Sequence, residues 1–247
     1  MLKSRVVING AKIVATVHSP ASLAAARRLR AEDGVDFLEL RVDAFAQNPD
    51  LLLRATLELS LPLIVTVRDP HEGGATRDLT AKKRRELFEK FLPHAALVDV
   101  ELRAVLKKEL APVLDAARAN GVQLILSHHD FKKTPPLVRL TDLTRQAWNA
   151  GADIFKVATM AANPRHLATL LDFLTRRESK QRPALAVMAM GRFGKISRLL
   201  FAQCGSVLNY GFLDAANASG QWPARLLKKR IEELGGENQT AKDKRQK

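Results

Sequence analysis

One cysteine, Cys204, is all the thiol that the 247 residues hold. That excludes an intramolecular disulfide framework and a cysteine-built zinc site, and leaves nothing to point to an oxidising compartment. Long apolar runs are missing too. No stretch approaches the ~18 uninterrupted apolar residues of a membrane span, and the opening MLKSRVVING lacks the apolar core of a signal peptide. A soluble, cytoplasmic protein with no membrane partner is expected. No linker rich in Pro, Gly or Ser divides the chain, so one domain is expected over residues 1–235, with a basic, frayed tail over 236–247. Acids are scarce: 26 stand against 40 lysines and arginines, a net charge of +14. The partners to weigh are therefore anionic: a phosphate, a carboxylate, a nucleic acid or a membrane surface.

What is present is a rhythm. Runs rich in Val, Ile and Leu lie at 12–17, 37–43, 63–68, 97–102, 123–130, 154–159, 184–191 and 207–212. They start about 23 to 34 residues apart, with helix-like stretches between them, which is the pattern of parallel βα units. Eight such units in this length predict a (β/α)8 TIM barrel, with a doubly wound sheet as the alternative. The stretch SLAAARRLRAEDG puts Leu23, Ala26 and Leu29 on one helical face, with Gly34 to stop it, and residues 84–92 repeat the pattern. The basic runs KKRR (82–85), RRESKQR (176–182) and KKR (228–230) fall on different helices and read as scattered solvated faces, not one nucleic-acid track.

In such a barrel the reactive groups sit at the C-terminal ends of the strands. On the second strand Glu39, Arg41 and Asp43 alternate, so they share a face that can point into the lumen. Buried charges there must be paired or functional, and a structural ion-pair layer, Asp43 above all, is the competing reading. Arg68 ends the third strand and leads into DPHEGG, where Glu72 and the pair Gly73–Gly74 make a loop able to close on an anion. The fifth strand ends in His128 and His129 on opposite faces, so one of them is a candidate acid/base. On the sixth, Lys156 interrupts the apolar run IFKVAT. Desolvation favours the neutral amine, a nucleophile able to form an imine with a ketone or aldehyde, whereas pairing with a carboxylate is the structural alternative. The glycines and Lys195 of MGRFGKISR fail the phosphate-loop pattern, because Ala189 and Ile196 stand where it needs Gly and Ser or Thr. Arg198 can instead meet a carboxylate, and NASGQ (217–221) suits a mobile lid. No histidine spacing assembles a metal site.

The ordered set ELRVDAF, VTVRDPHEGG, SHHDFKKTP, GADIFKVATM and MGRFGKISR resembles the type I 3-dehydroquinate dehydratase family, from about residue 12 to residue 221. The resemblance implies a TIM barrel, a homodimer, no metal and no cofactor. It also implies the dehydration of a small anionic substrate, 3-dehydroquinate, to 3-dehydroshikimate in the shikimate pathway. By the same resemblance Lys156 forms the imine, His129 is the general acid/base and Glu72 orients it. Glu39, Arg41 and Arg68 then bind substrate hydroxyls and shape the field, while Arg198 holds the substrate carboxylate, with Asn217 and Gln221 in the lid. The chain departs from the family at Asn217 and Ser219, where Ser and Pro are usual, at His128 for a common tyrosine, and at Ala161 for a frequent proline. Two other functions compete: another lysine-dependent, aldolase-type barrel, and a non-catalytic barrel whose charge binds RNA or another acidic partner.

Overall fold

The computed structural model describes residues 6–176 and 183–243. Eight parallel strands form the centre: β1 (Lys12–Val17), β2 (Phe37–Arg41), β3 (Leu63–Thr66), β4 (Leu97–Glu101), β5 (Gln123–Asp130), β6 (Ile154–Met160), β7 (Ala184–Met190) and β8 (Leu208–Phe212). Each pairs with its sequence neighbour from β1 to β7, and β8 returns to pair with β1. The remaining seam is nearly closed: Val207 N donates to Leu185 O at 2.9 Å and Val187 N to Ser206 Oγ at 3.0 Å. The result is the predicted (β/α)8 barrel.

Helices α1 (Pro20–Ala26), α2 (Pro49–Thr56), α3 (Ala81–Phe91), α4 (Leu102–Leu106), α5 (Ala111–Ala119), α6 (Leu137–Asn149), α7 (Pro164–Thr175), α8 (Gly194–Gln203) and α9 (Ala224–Asp243) cover the sheet. Their starts are written in the sequence. Ser19, Asn48 and Asn163 cap α1, α2 and α7 through side-chain oxygens, each followed by a proline whose missing N–H costs nothing there. On α6 the spacing Leu140, Leu143, Thr144, Ala147 makes the buried stripe. On α3 it is Leu87, Phe88 and Phe91, each worth about 1.5–3 kcal/mol of burial.

Several expected boundaries move. Leu23, Ala26 and Leu29 are all buried, yet α1 ends at Ala26, and Gly34 closes a separate 3-10 turn, Ala31–Asp33, with φ +74°. Strand β2 stops at Arg41, so Asp43 belongs to the 3-10 turn Val42–Phe45, not to the strand. Helix α9 runs on through Asp243, and of the tail expected from residue 236 the residues 244–247 lie outside the described residues. Of the run at 176–182, residues 177–182 lie outside the described residues. Among the described residues no helix is long and apolar enough to cross a membrane.

Candidate active site

Strand alternation builds the lumen in layers. At the floor Val14, Phe37, Ile64, Leu97, Ile125, Ile154 and Leu208 pack together. Two residues further along the same strands the lumen turns polar, with Thr16, Glu39, Thr66, Asp99, Ser127, Lys156 and Tyr210 all buried. Above them stand Arg41, Arg68, Glu101 and His129. A cavity of about 150 Å³ opens at this C-terminal end, lined by Glu39, Arg41, Arg68, Glu72, His129, Lys156, Arg198, Asn217 and Gln221 among others. All nine residues to which the family resemblance gives a role therefore meet in one space, which admits a small molecule and not a polymer.

Lys156 is 4% exposed and donates from Nζ to Asp99 Oδ2 at 2.8 Å and to Glu39 Oε1 at 3.5 Å. The ring of Tyr210 lies under the same nitrogen, its centre 3.9 Å away. Of the two sequence readings, the pairing with a carboxylate is what the structure displays, and the same nitrogen also lines the cavity. Asp99 went unnoticed in the sequence, as did Glu101, although both alternate with Val98 and Val100 just as Glu39 and Arg41 alternate with their apolar neighbours.

Arg68 is the hinge of this ionic layer. Its guanidinium reaches Asp99 at 2.9 Å and Glu101 at 2.9 Å and donates to Ser127 Oγ at 2.8 Å. Ser127 in turn donates to Asp99 at 2.6 Å. Burial opposes charge on both partners, yet Asp99 and Glu101 hold Arg68 well above its usual range, and Arg68 with Lys156 holds Asp99 well below its own. Arg68 is therefore spent on protein carboxylates and acts through the field more than as a free ligand for hydroxyls. Arg84 continues the network: it pairs with Glu101 and with Asp69 at 3.2 Å, and donates to Val67 O at 2.9 Å. This corrects the solvated reading of KKRR, because Arg84 is 1% exposed. Arg84→Met is expected to destabilise the fold by about 3 kcal/mol, since it strips a buried carboxylate of one cation; urea denaturation reads the change.

Glu72 comes from the 3-10 turn Pro70–Glu72. The glycines after it serve close packing, not a flexible flap: Gly73 has φ +85°, and a Cβ on Gly74 would lie 2.5 Å from Arg68 O. This turn brings Glu72 Oε2 to 3.0 Å from His129 Nδ1 and to 3.1 Å from the His129 backbone N–H. His129 lines the cavity, while His128 faces elsewhere, as the alternation requires. Burial, with a smaller push from Glu101, raises the Glu72 carboxyl to about 7 against the pull of Arg68. Burial, then the charges of Arg68 and Lys156, hold His129 well below the usual imidazole range.

A pH dependence follows. Above pH ~7 the ionised Glu72 accepts Nδ1–H and leaves the Nε2 lone pair as a base; below it the protonated Glu72 donates to Nδ1 and the proton sits on Nε2. The expected kcat/KM therefore rises with pH through a midpoint near 7. In Glu72→Gln the amide has no proton to give up, so that limb should vanish and activity fall about 100-fold; a limb surviving in the variant would assign it to another group.

Around the mouth, Arg41 donates to both Asp43 oxygens, at 3.0 and 2.8 Å, and Asp43 also accepts from Arg68 N at 3.1 Å and Ala75 N at 2.9 Å. Asp43 is thus the structural member of its set. Arg198 is fully enclosed, and burial lowers it to about 10. Its Nε donates to Tyr210 O at 3.0 Å and its Nη1 to Ala189 O, Gly194 O and Gly220 O at 3.2, 2.8 and 2.8 Å. Its Nη2 takes none of these four bonds, so Arg198 braces the lid as well as lining the cavity. In the lid, Gln221 Oε1 accepts from Asn217 N at 3.0 Å and Ala218 N at 3.3 Å, and a Cβ on Gly220 would lie 2.5 Å from Gly194 Cα. The segment is pinned at both ends in this conformation. Among the described residues no three His, Cys, Asp or Glu side chains gather as a metal site.

A TIM barrel with a buried lysine, a histidine–carboxylate pair and arginines around one small cavity at the strand ends has the build of a barrel enzyme for a small anionic substrate. The profile of the family described as Type I 3-dehydroquinase matches residues 13–237. The 3-dehydroquinate dehydratase of Pyrococcus abyssi is 34% identical over 224 residues, covering 90% of this chain and 99% of that one. That of Aquifex aeolicus is 34% identical over 196 residues, covering 78% and 84%. The crystal structure of 3-dehydroquinate dehydratase from Geobacillus kaustophilus superposes with a TM-score of 0.81 at 28% identity, covering 92% of this chain and 91% of that one. The chain belongs to the type I 3-dehydroquinase family.

Proposed function

We propose that this chain is the hydro-lyase its relatives are named for, converting 3-dehydroquinate to 3-dehydroshikimate in the shikimate pathway through an imine on Lys156. The observation that carries the reading is the meeting, in one cavity of a chain of this family, of Lys156 on its two carboxylates with the His129–Glu72 pair.

The chemistry runs as follows. The Lys156 amine attacks the C3 ketone, and the carbonyl oxygen leaves as water, giving a protonated imine that can take up an electron pair. His129 Nε2 removes a C2 proton, and the pair left behind is delocalised onto the imine. The same imidazolium returns its proton to the C1 hydroxyl, which leaves as the second water. Hydrolysis of the conjugated imine releases product and restores the amine. Arg68 and Glu101 fix the charge around the imine without touching the bonds that change, while Asp99 accepts directly from the lysine nitrogen at 2.8 Å. Arg198 Nη2, Arg41, Asn217 and Gln221 supply donors for the substrate carboxylate and hydroxyls. We place the enzyme in the cytoplasm as a homodimer of single-domain barrels, a state that light scattering on purified protein reads directly.

The test mixes protein and 3-dehydroquinate, follows the conjugated enone by ultraviolet absorbance, and reduces the mixture with borohydride for peptide mass analysis. Enone together with a reduced adduct on Lys156 is expected. Folded protein giving neither signal would turn the assignment toward another lysine-dependent substrate or a binding barrel; in the latter case RNA affinity should fall steeply with salt.

A further inference from the structure

The reaction sequence leaves one enclosed polar group unused. Tyr210 is the only tyrosine in the chain. Its side chain lines the cavity from β8, and its hydroxyl is shut away from solvent with no hydrogen-bond partner. A buried donor left unpaired is costly and therefore uncommon. It makes physical sense where a second state of the same site supplies the acceptor. The ring already touches the reacting nitrogen, 3.9 Å from ring centre to Lys156 Nζ, so its face supports a cation there. Burial, followed by the negative charges of Glu39 and Asp99, raises Tyr210 well above the usual phenol range. The oxygen therefore keeps its proton, and the negative charges that act on it are those of the two carboxylates that hold Lys156.

We propose that the Tyr210 hydroxyl is a positioning group that becomes a donor to the Glu39–Asp99 carboxylate pair when Lys156 turns into an imine, an inference that rests on the imine reading above. The reason is a count of protons. An ammonium has three N–H bonds, and two of them serve Asp99 at 2.8 Å and Glu39 at 3.5 Å. When its nitrogen bonds to the ketone carbon, the carbonyl oxygen departs as water with two of those protons. The iminium keeps its positive charge but only one N–H. One N–H cannot serve two carboxylates. Asp99 keeps Arg68 and Ser127, and Glu39 keeps the hydroxyls of Thr66 at 3.0 Å and Thr16 at 3.3 Å, yet one lone pair in the pair has lost its donor. The free O–H of Tyr210 fills that vacancy, while its ring stays against the cation. Tyr210 thus stabilises the covalent intermediate and does little for the free enzyme.

Because Tyr210 acts through the partners of Lys156, its removal must separate the two states. Tyr210→Phe deletes only the unpaired oxygen, so the unfolding midpoint of the free enzyme should stay level or rise. Its kcat should fall about tenfold, the effect of one hydrogen bond to a charged group, with KM changed less than twofold. A kcat within twofold of the parent would overturn the proposal. The second measurement needs no change at residue 210. Tyrosine labelled at 13Cζ gives a single resonance in this chain, and His129→Ala is used to accumulate the imine. With 3-dehydroquinate bound, that resonance should move as the phenol becomes a donor, in a sample whose borohydride-treated aliquot carries the Lys156 adduct. An adduct with an unmoved resonance would reject the role of Tyr210 and leave the imine standing. No adduct at all would reject both.

Discussion

Lys156→Ala is expected to lower kcat/KM by about 10⁵-fold or more and to leave no borohydride-stable adduct. No other amine in the described cavity can take its place, since Arg41, Arg68 and Arg198 are guanidinium groups engaged with Asp43, with the Asp99–Glu101 layer and with backbone carbonyls. The barrel should survive the change. Asp99 retains Arg68 at 2.9 Å and Ser127 at 2.6 Å, and Glu39 retains two threonine hydroxyls, so neither carboxylate is stranded. A loss of a few kcal/mol from breaking a buried pair is still expected. Lys156→Met, which keeps the volume, separates that packing effect from the loss of the nucleophile. Near-ultraviolet circular dichroism checks the fold. Appreciable turnover by a folded Lys156→Ala protein would remove the imine from the reaction.

His129→Ala should do the reverse: it should still form the adduct yet turn over about 10³-fold more slowly. The geometry separates the two roles. His129 Nδ1 is tied to Glu72 at 3.0 Å, which turns Nε2 to the cavity, while the bonds of Lys156 run to Asp99 and Glu39 and none to the imidazole. Deleting the ring therefore removes the proton carrier without touching the carboxylates that hold the amine. Added imidazole should recover part of the rate by entering the vacated space. An unaltered rate in the variant would move proton transfer to another group, with Glu72 the next in line.

How far the sequence carried the reading depended on whether a residue's partners lay within its own pattern. The strands were legible because each is a short run of branched residues, and Lys156 because it is the only charge in an apolar one. Strand ends were misplaced where side chains take over from the sheet: Asp43 leaves β2 because its carboxylate bonds the backbone of Arg68 and Ala75 across the loops. Asp99 and Glu101 carry the same alternating signal as Glu39 and Arg41, but no loop motif beside them marks that strand end as functional. Arg84 was not legible at all. Within KKRR it looks like any solvated cation, and the carboxylate that buries it, Glu101, lies 17 residues further on, on a different element. Tyr210 looks like core in the sequence, and only the lysine nitrogen over its ring gives it another meaning.

The return of β8 to β1 bears on how the molecule is made. Asn209 Nδ2 reaches Lys12 O across 197 residues of sequence, and the ladder from Lys12↔Leu208 to Thr16↔Phe212 joins the first strand to the last. Contacts that distant are closed late, because the chain entropy of looping must be spent before they form. Until then β1 and β7 are bare sheet edges, able to pair with another chain. Tyr210 and two of the four carbonyls that hold Arg198, those of Tyr210 and Gly220, arrive with that last segment. A nascent chain halted before residue 208 would therefore hold the lysine and the histidine but neither the tyrosine nor the lid, and would be prone to aggregate. Closing the ring is thus also what completes the wall of the cavity, because Tyr210, Asn217 and Gln221 all lie on or after the last strand.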